Sequence, residues 1–386
     1  MTTTTGDQAL IRKINTAIVL EAILRGEPLS RAAISELTGL NKATVSSLVQ
    51  TLIDGRLVRE IGTGVSSGGR KPVLLEFVAT AGYAVGIDLG VNYIRGVLTD
   101  LRGRIAAERA IPLDTHVPDD VFAVLRPFVR ELIDAAPASP FGVVGIGAGV
   151  PGLVDQSGSV LFAPNLNWRD VPLRDALARA FGLPVAIDNE ANVGALGEQK
   201  YGAGRGLSNL VYVSVGIGIG TGLILERSLY KGAAGFSGEL GHLSVEARGK
   251  RCRCGNLGCW ELYASEQALL EKAAPRGYRS LEELIAAAAE DAEARGMFAE
   301  IGEYLGIGIA NILNVFNPEA VIIGNRMSRA KAWLEEPVRR TVERRALDFH
   351  RRGARLLFAE LDERSAVLGA AELAISGYFD RLKASV

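Results

Sequence analysis

The 386-residue chain is poor in sulfur and imidazole, with three cysteines, three histidines and three methionines. So few cysteines exclude a disulfide framework, and an odd number could not pair completely in any case. Long apolar runs are also missing. No stretch approaches the roughly eighteen uninterrupted apolar residues of a membrane span, and the start MTTTTGDQ lacks the basic and apolar regions of a secretory signal. The expectation is a cytoplasmic protein with no membrane contact and with reduced thiols. Neither sign of charge dominates, because 43 Lys and Arg meet 44 Asp and Glu for a formal net charge of -1. Any nucleic-acid contact must then come from a local face rather than from the whole surface. What the chain does have is apolar bulk: 48% of its residues are hydrophobic, enough for two or three domains with real cores.

Residues 1–80 differ in texture from the rest. QALIRKINTAIVLEAILRG has helical apolar spacing at Leu10, Ile14, Ala17 and Ile18, and SRAAISEL reads as a second short helix with Ser30 as N-cap. After the glycine turn TGLN, NKATVSSLVQTLIDG reads as a third helix, capped by Asn41, with Val45, Leu48, Val49 and Leu52 on one stripe. Two extended runs, LVREI and PVLLEFV, flank the glycine- and serine-rich TGVSSGGRK, which suits a hairpin tip. Helix, helix, turn, helix, hairpin is the plan of a winged helix-turn-helix. The outer face of the third helix carries Lys42, Thr44, Ser46, Ser47 and Gln50, side chains able to reach base edges and phosphates. Arg70 and Lys71 close the hairpin tip, where a wing can enter the minor groove.

From residue 81 the texture is α/β. AVGIDLG, IRGVLTD and RIAAERAI are short strands in succession, followed by a helix around residues 118–135 and the strand VVGIGAGV. The pattern recurs in NLVYVSVGIGIGTGLILE, with helices around 298–316 leading into the strand AVIIG. Two related halves, each with a glycine-rich turn between its first strands, suit a two-lobed actin-like, ribonuclease-H-like architecture. Residues 81–386 then form one domain, with lobe one at about 81–196 plus the C-terminal helix and lobe two at about 197–370.

All three cysteines lie in eight residues. His242, Cys252, Cys254 and Cys259 supply one imidazole and three thiolates, a set that matches tetrahedral Zn²⁺. Four protein ligands leave no open position for water, so the expected zinc is structural. Arg248, Lys250, Arg251 and Arg253 are expected to surround the thiolates and offset their charge. Glu239 and Glu261 flank the loop, and ordering it would bring both carboxylates beside the imidazole, an arrangement suited to the hydroxyls of a sugar.

At GELGH (238–242) and CRCGNLGCWE (252–261) the sequence resembles the ROK family of repressors, open reading frames and sugar kinases. With the winged helix, the resemblance covers nearly the whole chain. It implies that His242 and the three cysteines bind zinc while Glu239, Glu261 and the other ring nitrogen of His242 contact sugar hydroxyls. It adds Gly152 of GVPGLVD and Asn189 and Glu190 of DNEAN to the sugar site, and by weaker similarity PNLNW at 164–168. Family members divide into sugar kinases and DNA-binding regulators. The kinases share a DxGGTK phosphate turn, where this chain has DLGVNYIRG: Val91 replaces a glycine, Asn92 the threonine and Tyr93 the lysine. Their general base is the aspartate of an Asn-Asp pair, where this chain has Glu190; a displacement of roughly an ångström can cost about a hundredfold in rate. Asn325 stands where a second nucleotide-side glycine is usual, and the glycines of GIGIGTGL at 216, 218, 220 and 222 can persist as lobe-packing geometry. The expectation is a sugar sensor without catalytic residues: a repressor of sugar-catabolic genes, released from a palindromic operator by a monosaccharide, with a slight preference for xylose because Asn-Glu resembles the xylose-responsive members. A homodimer or homotetramer is implied. The alternative is an ATP-dependent, glucokinase-like sugar kinase with an appended DNA-binding domain.

Overall fold

The computed structural model describes residues 8–64 and 71–385. Three helices open the chain, Gln8–Gly26, Arg31–Thr38 and Lys42–Asp54. Ser30 caps the second by accepting from the Ala33 amide at 3.1 Å, and Asn41 caps the third by accepting from the Thr44 amide at 2.9 Å. Gly39 ends the second helix with φ +70°, the left-handed turn that glycine adopts freely. Strands Val58–Thr63 and Val73–Phe77 pair antiparallel as the hairpin expected of a wing, and Leu29–Ser30 adds a short third strand.

The expected stripe of the third helix, Val45, Leu48, Val49 and Leu52, is buried. In the first helix the stripe that marks the period is not the one that packs. Leu10, Ile14 and Ile18 are exposed, and Val19, Leu20 and Ile23 reach the core instead. That helix is apolar nearly all round, so its period identifies the helix without choosing its inner face.

The larger domain contains two five-stranded sheets of one topology. In the first, spatial order is Ile105–Pro112, Tyr93–Asp100, Tyr83–Leu89, Val143–Val150, Val185–Asn189; in the second it is Ser228–Leu229, Ile219–Leu225, Leu210–Val215, Ala320–Gly324, Arg355–Phe358. In each sheet the first three strands in the chain pair antiparallel and the last two join in parallel. The duplication expected from the repeated strand, glycine turn, strand pattern is thus present strand for strand.

Between the sheets lie two helices. Glu190–Tyr201 packs on Leu210–Val215 and Ile219–Leu225, the C-terminal helix Ser365–Ser385 packs on Tyr83–Leu89 and Val143–Val150, and the two helices pack on each other. Glycine makes this four-layer contact possible. A Cβ on Gly147 would strike the Ala370 carbonyl, and one on Gly369 the Val193 carbonyl. The far end of the C-terminal helix then enters the winged-helix core, where Ala374 and Ile375 are buried with Ile23, Leu52 and Phe77, and the Phe379 ring lies 5.9 Å from that of Phe77. The small N-terminal core is therefore completed by the last residues of the chain. Arg102 of the larger domain reinforces the junction with an ion pair to Glu27 and by stacking on Phe77. No helix among the described residues is long and apolar enough to cross a membrane.

Candidate functional site

The carboxyl ends of the central strands face a cleft between the lobes, the usual position for ligands in open α/β sheets. A cavity of about 310 Å³ lies there. Gly152, Asn189, Glu190, Glu239, His242 and Glu261, the six residues expected from the sequence, all line it. So do Pro164 and Asn165 of PNLNW; Trp168 of the same stretch is instead buried, donating its indole N–H to the His116 carbonyl at 2.7 Å.

Their contributions differ. Gly152 has φ +94° and no room for a side chain against Phe162 and Ala163, so it offers backbone alone. Its carbonyl accepts from Asn189 Nδ2 at 2.9 Å, while Asn189 Oδ1 accepts from the Ala191 amide at 2.8 Å. Asn189 therefore caps the Glu190–Tyr201 helix and holds Glu190 at the cleft. Glu190 is half-buried, and its desolvation together with the facing Asp88 carboxylate pushes its pKa up to about 7. Burial likewise pushes Glu239 above the usual carboxylate range.

An ion pair at this cavity, between Asp188 of its wall and Lys231, escaped the sequence reading. Asp188, directly before Asn189, accepts from the Asn189 amide and from Asn192 Nδ2, both at 2.8 Å, and forms an ion pair across the cleft with Lys231 of lobe two. The signal was the lysine in the glycine-rich stretch KGAAGFSGELGH, whose Phe236 also lines the cavity. Nothing local in the sequence says that this lysine meets that aspartate.

Beside the cavity, one ligand atom from each of His242, Cys252, Cys254 and Cys259 lies within 4.8 Å of the others, a cluster able to hold a metal ion. Cys254 Sγ is 3.6 Å from Cys259 Sγ, and Cys252 Sγ is 3.7 Å from His242 Nδ1. A tetrahedron with zinc–sulfur bonds of about 2.3 Å has sulfur–sulfur edges of about 3.8 Å, so the donor set fits. Gly258, at φ +70°, allows the loop to close against the Glu246 carbonyl, and Asn256 Nδ2 donates to the His242 carbonyl at 3.1 Å. With Nδ1 on the metal side, Nε2 of His242 turns to the cavity, 3.8 Å from Glu239 Oε2. Glu261 spans both sites: its Oε1 is 3.2 Å from Cys252 Sγ and 3.4 Å from His242 Nδ1. Of the four cations expected around the thiolates, Arg253 lines the cavity next to Cys254, but Lys250 turns away to stack on Tyr263. A long flexible side chain at a loop rim finds an aromatic face more readily than a crowded thiolate cage.

On the opposite side of Glu190, where the kinase members bind phosphate, the space is filled. The Tyr93 ring packs against Gly90, and its hydroxyl donates to Asp88 Oδ2 at 3.0 Å. Asn325 Nδ2 donates to Ser214 Oγ at 2.9 Å, and Arg95 pairs with Glu363. About 10 Å³ remains, lined by Asp88, Tyr93, Glu190, Tyr212, Ser214 and Glu363, room for about one water. The glycines of GIGIGTGL serve packing instead. A Cβ on Gly222 would strike the Ala191 carbonyl, and one on Gly218 would sit 2.7 Å from Glu261 Oε2.

On the winged helix, Lys42, Ser46, Ser47 and Gln50 are exposed and Thr44 is half-buried. Ser46 Oγ donates to the Lys42 carbonyl at 2.8 Å and Gln50 Nε2 to Asp54 Oδ1 at 2.8 Å, so both would exchange an internal bond for an external one. Lys71 is exposed, and Arg70 lies outside the described residues.

The description of the ROK family matches residues 84–376, and that of the MarR family matches residues 13–65. The xylose repressor of Bacillus subtilis is 43% identical over 378 residues, 97% of this chain and 98% of its own. Among solved structures, a ROK family transcriptional regulator described as a homologue of the Escherichia coli MLC protein superposes with a TM-score of 0.84 at 30% identity, covering 97% of this chain and 98% of that one. A ROK family glucokinase from Streptomyces griseus, in complex with glucose and AMPPNP, gives a TM-score of 0.71 at 31% identity, covering 77% of this chain and 100% of its own. The cleft, the metal loop and the two like sheets, matched along three quarters of its length, make this chain a member of the ROK family.

Proposed function

We propose that this chain is a sugar-responsive transcriptional repressor of sugar-catabolic genes, which binds a palindromic operator as a dimer and is released by a neutral monosaccharide held between its lobes. The observation that carries the reading is the continuous packing from cavity to winged helix. The helix that presents Glu190 lies against the C-terminal helix, and the end of that second helix is part of the DNA-binding core. The names of the relatives support it, since the xylose repressor aligns along nearly the whole chain.

The pocket's charge defines the ligand class. Asp188, Glu190, Glu239 and Glu261 outnumber Lys231 and Arg253 there, so sugar hydroxyls find acceptors while a phosphorylated sugar meets repulsion. An unphosphorylated pentose of the xylose type is the preferred effector. Zn²⁺ is the metal we assign to His242, Cys252, Cys254 and Cys259. Its role is to hold the imidazole and Glu261 in place, and four protein ligands leave it no reacting position.

In the working cycle, sugar hydroxyls bridge Glu190 on one lobe and Glu239, His242 and Glu261 on the other, favouring the closed cleft. Closure moves the Glu190–Tyr201 helix, and the tight glycine contacts at Gly197 and Gly369 leave the C-terminal helix no slack to absorb the shift. The winged helices of the dimer then lose their spacing on the operator. A coupling of about 1 to 3 kcal/mol is enough to change occupancy by one or two orders of magnitude.

The test is fluorescence anisotropy of the purified protein with promoter DNA from upstream of sugar-catabolic operons, titrated with xylose, glucose, N-acetylglucosamine and glucose 6-phosphate. A specific complex weakened by a neutral sugar and indifferent to the phosphate ester is expected. Binding without sequence preference would end the repressor reading, and ordinary ATP-dependent turnover on any of these sugars would replace it with a kinase.

A further inference from the structure

A cavity of about 730 Å³ lies outside the cleft, between the helices Pro118–Asp134 and Leu173–Phe181 of lobe one. Two contacts show that these helices run side by side in the same sense. Trp168 Nε1 bonds the His116 carbonyl just before both helices begin, and the Arg130 guanidinium lies 5.3 Å from the Phe181 ring where the second ends. The groove between them is thereby polarised. Asp119 and Asp170 line its starting end, in the first turn of one helix and just before the other, where carboxylates favour helix N-termini. Arg126, Arg130 and Arg179 line the other end. Among the described residues neither Arg126 nor Arg179 is paired with a carboxylate, and both are exposed. Phe122 and Phe181 give the floor an aromatic, half-buried surface between these charges.

We infer that this groove docks an acidic amphipathic helix of a partner protein. The span from Asp119 to Arg130 is eleven residues, about 17 Å at the helical rise, which accommodates about three turns of a partner helix. Aromatic and arginine side chains together are the chemistry of interface hot spots. Unpaired guanidiniums at one end select carboxylates in one half of the partner, and Asp119 and Asp170 at the other end fix its direction by repelling them. The surface shares no lining residue with the sugar cavity and includes none from the winged helix. It gives the regulator an input other than sugar.

A phage-displayed library of helical 16-residue peptides would be panned on the full chain, with counter-selection on the R126E/R130E/R179E variant. The expected winners carry apolar residues at helical spacing with Asp and Glu clustered in one half. A synthetic winner should bind the wild type at least about tenfold more tightly than the triple variant, with affinity falling as salt rises. R126A and R179A, singly, should each weaken it by a few-fold. The variants must keep the sugar thermal shift of the wild type, which separates loss of the groove from loss of the fold. Winners without acidic bias, or binding wild type and triple variant equally, would overturn the inference. A weakened operator complex in the triple variant with no peptide selected would assign the arginines to DNA instead.

Discussion

The two lobes repeat one topology, yet their first hairpin turns have opposite fates. Between Tyr83–Leu89 and Tyr93–Asp100 the turn is closed, because the Tyr93 ring occupies the space above Gly90 and bonds Asp88. Between Leu210–Val215 and Ile219–Leu225 the turn is open, because Gly216 and Gly218 leave room for Asn325 and for the Glu261 carboxylate. A shared backbone thus offers two equivalent concavities, and the side chains decide that one is plugged and the other holds a carboxylate at the edge of the cleft. This is how a fold used for phosphate transfer can serve as a sensor without any change in strand order.

The comparison breaks most severely on the open side. Cys254→Ser should abolish stoichiometric metal, read by metal analysis of the purified protein, and weaken the sugar response at least tenfold, because Glu261 and His242 lose their anchor. Retained metal with an unchanged response would refute the four-ligand assignment. On the closed side, Tyr93→Ala removes a half-buried ring and should destabilise the protein by about 1 to 2 kcal/mol in urea melts. It should nevertheless confer no phosphotransfer, since Asn325, Ser214 and Arg95 still fill the phosphate side; sugar-dependent ATP turnover in this variant would show that Tyr93 alone bars the kinase reaction.

Gly218→Ala is a finer probe. A methyl 2.7 Å from Glu261 Oε2 displaces that carboxylate. Losing a hydrogen bond to a charged group costs about 1.5 to 3 kcal/mol, so sugar affinity should fall by roughly ten- to a hundredfold, by calorimetry, with operator affinity unchanged. The smallest effect is pH-dependent. Glu190, raised to about 7, and Asp88, raised to about 6, face each other across the remaining chamber. A carboxylate whose folded pKa is raised contributes stability that is complete below its unfolded value of 4.5 and is lost as pH climbs through about 7. Melts of Glu190→Gln should therefore gain on the wild type over that window. A constant difference between the two proteins from pH 4.5 to 8 would mean that Glu190 does not hold its proton in the folded state.

Local chemistry was legible where one short stretch carries it. Ser30 and Asn41 announced their helices as caps, Val45 to Leu52 chose the inner face of the third helix, and the cysteine spacing with His242 identified the metal loop, whose donor atoms the fold brings together. Wherever two distant segments had to meet, the sequence was silent. The exposed Leu10, Ile14 and Ile18 share a helical period with the buried Val19 and Ile23, and only packing against the other helices separates the two faces. Lys231 gave no sign of Asp188, nor Tyr93 of the space it would fill.

The sequence by itself determined the order of the main elements, the repeated strand pattern and the set of one histidine and three cysteines that gathers in one loop, because caps, periods and ligand types act over a few residues. Only the tertiary structure decided that the C-terminal helix completes the DNA-binding core, that the phosphate side is plugged and that three arginines share one groove. Those outcomes depend on which surfaces exclude water together, and contacts of that kind leave no trace in the spacing of either partner.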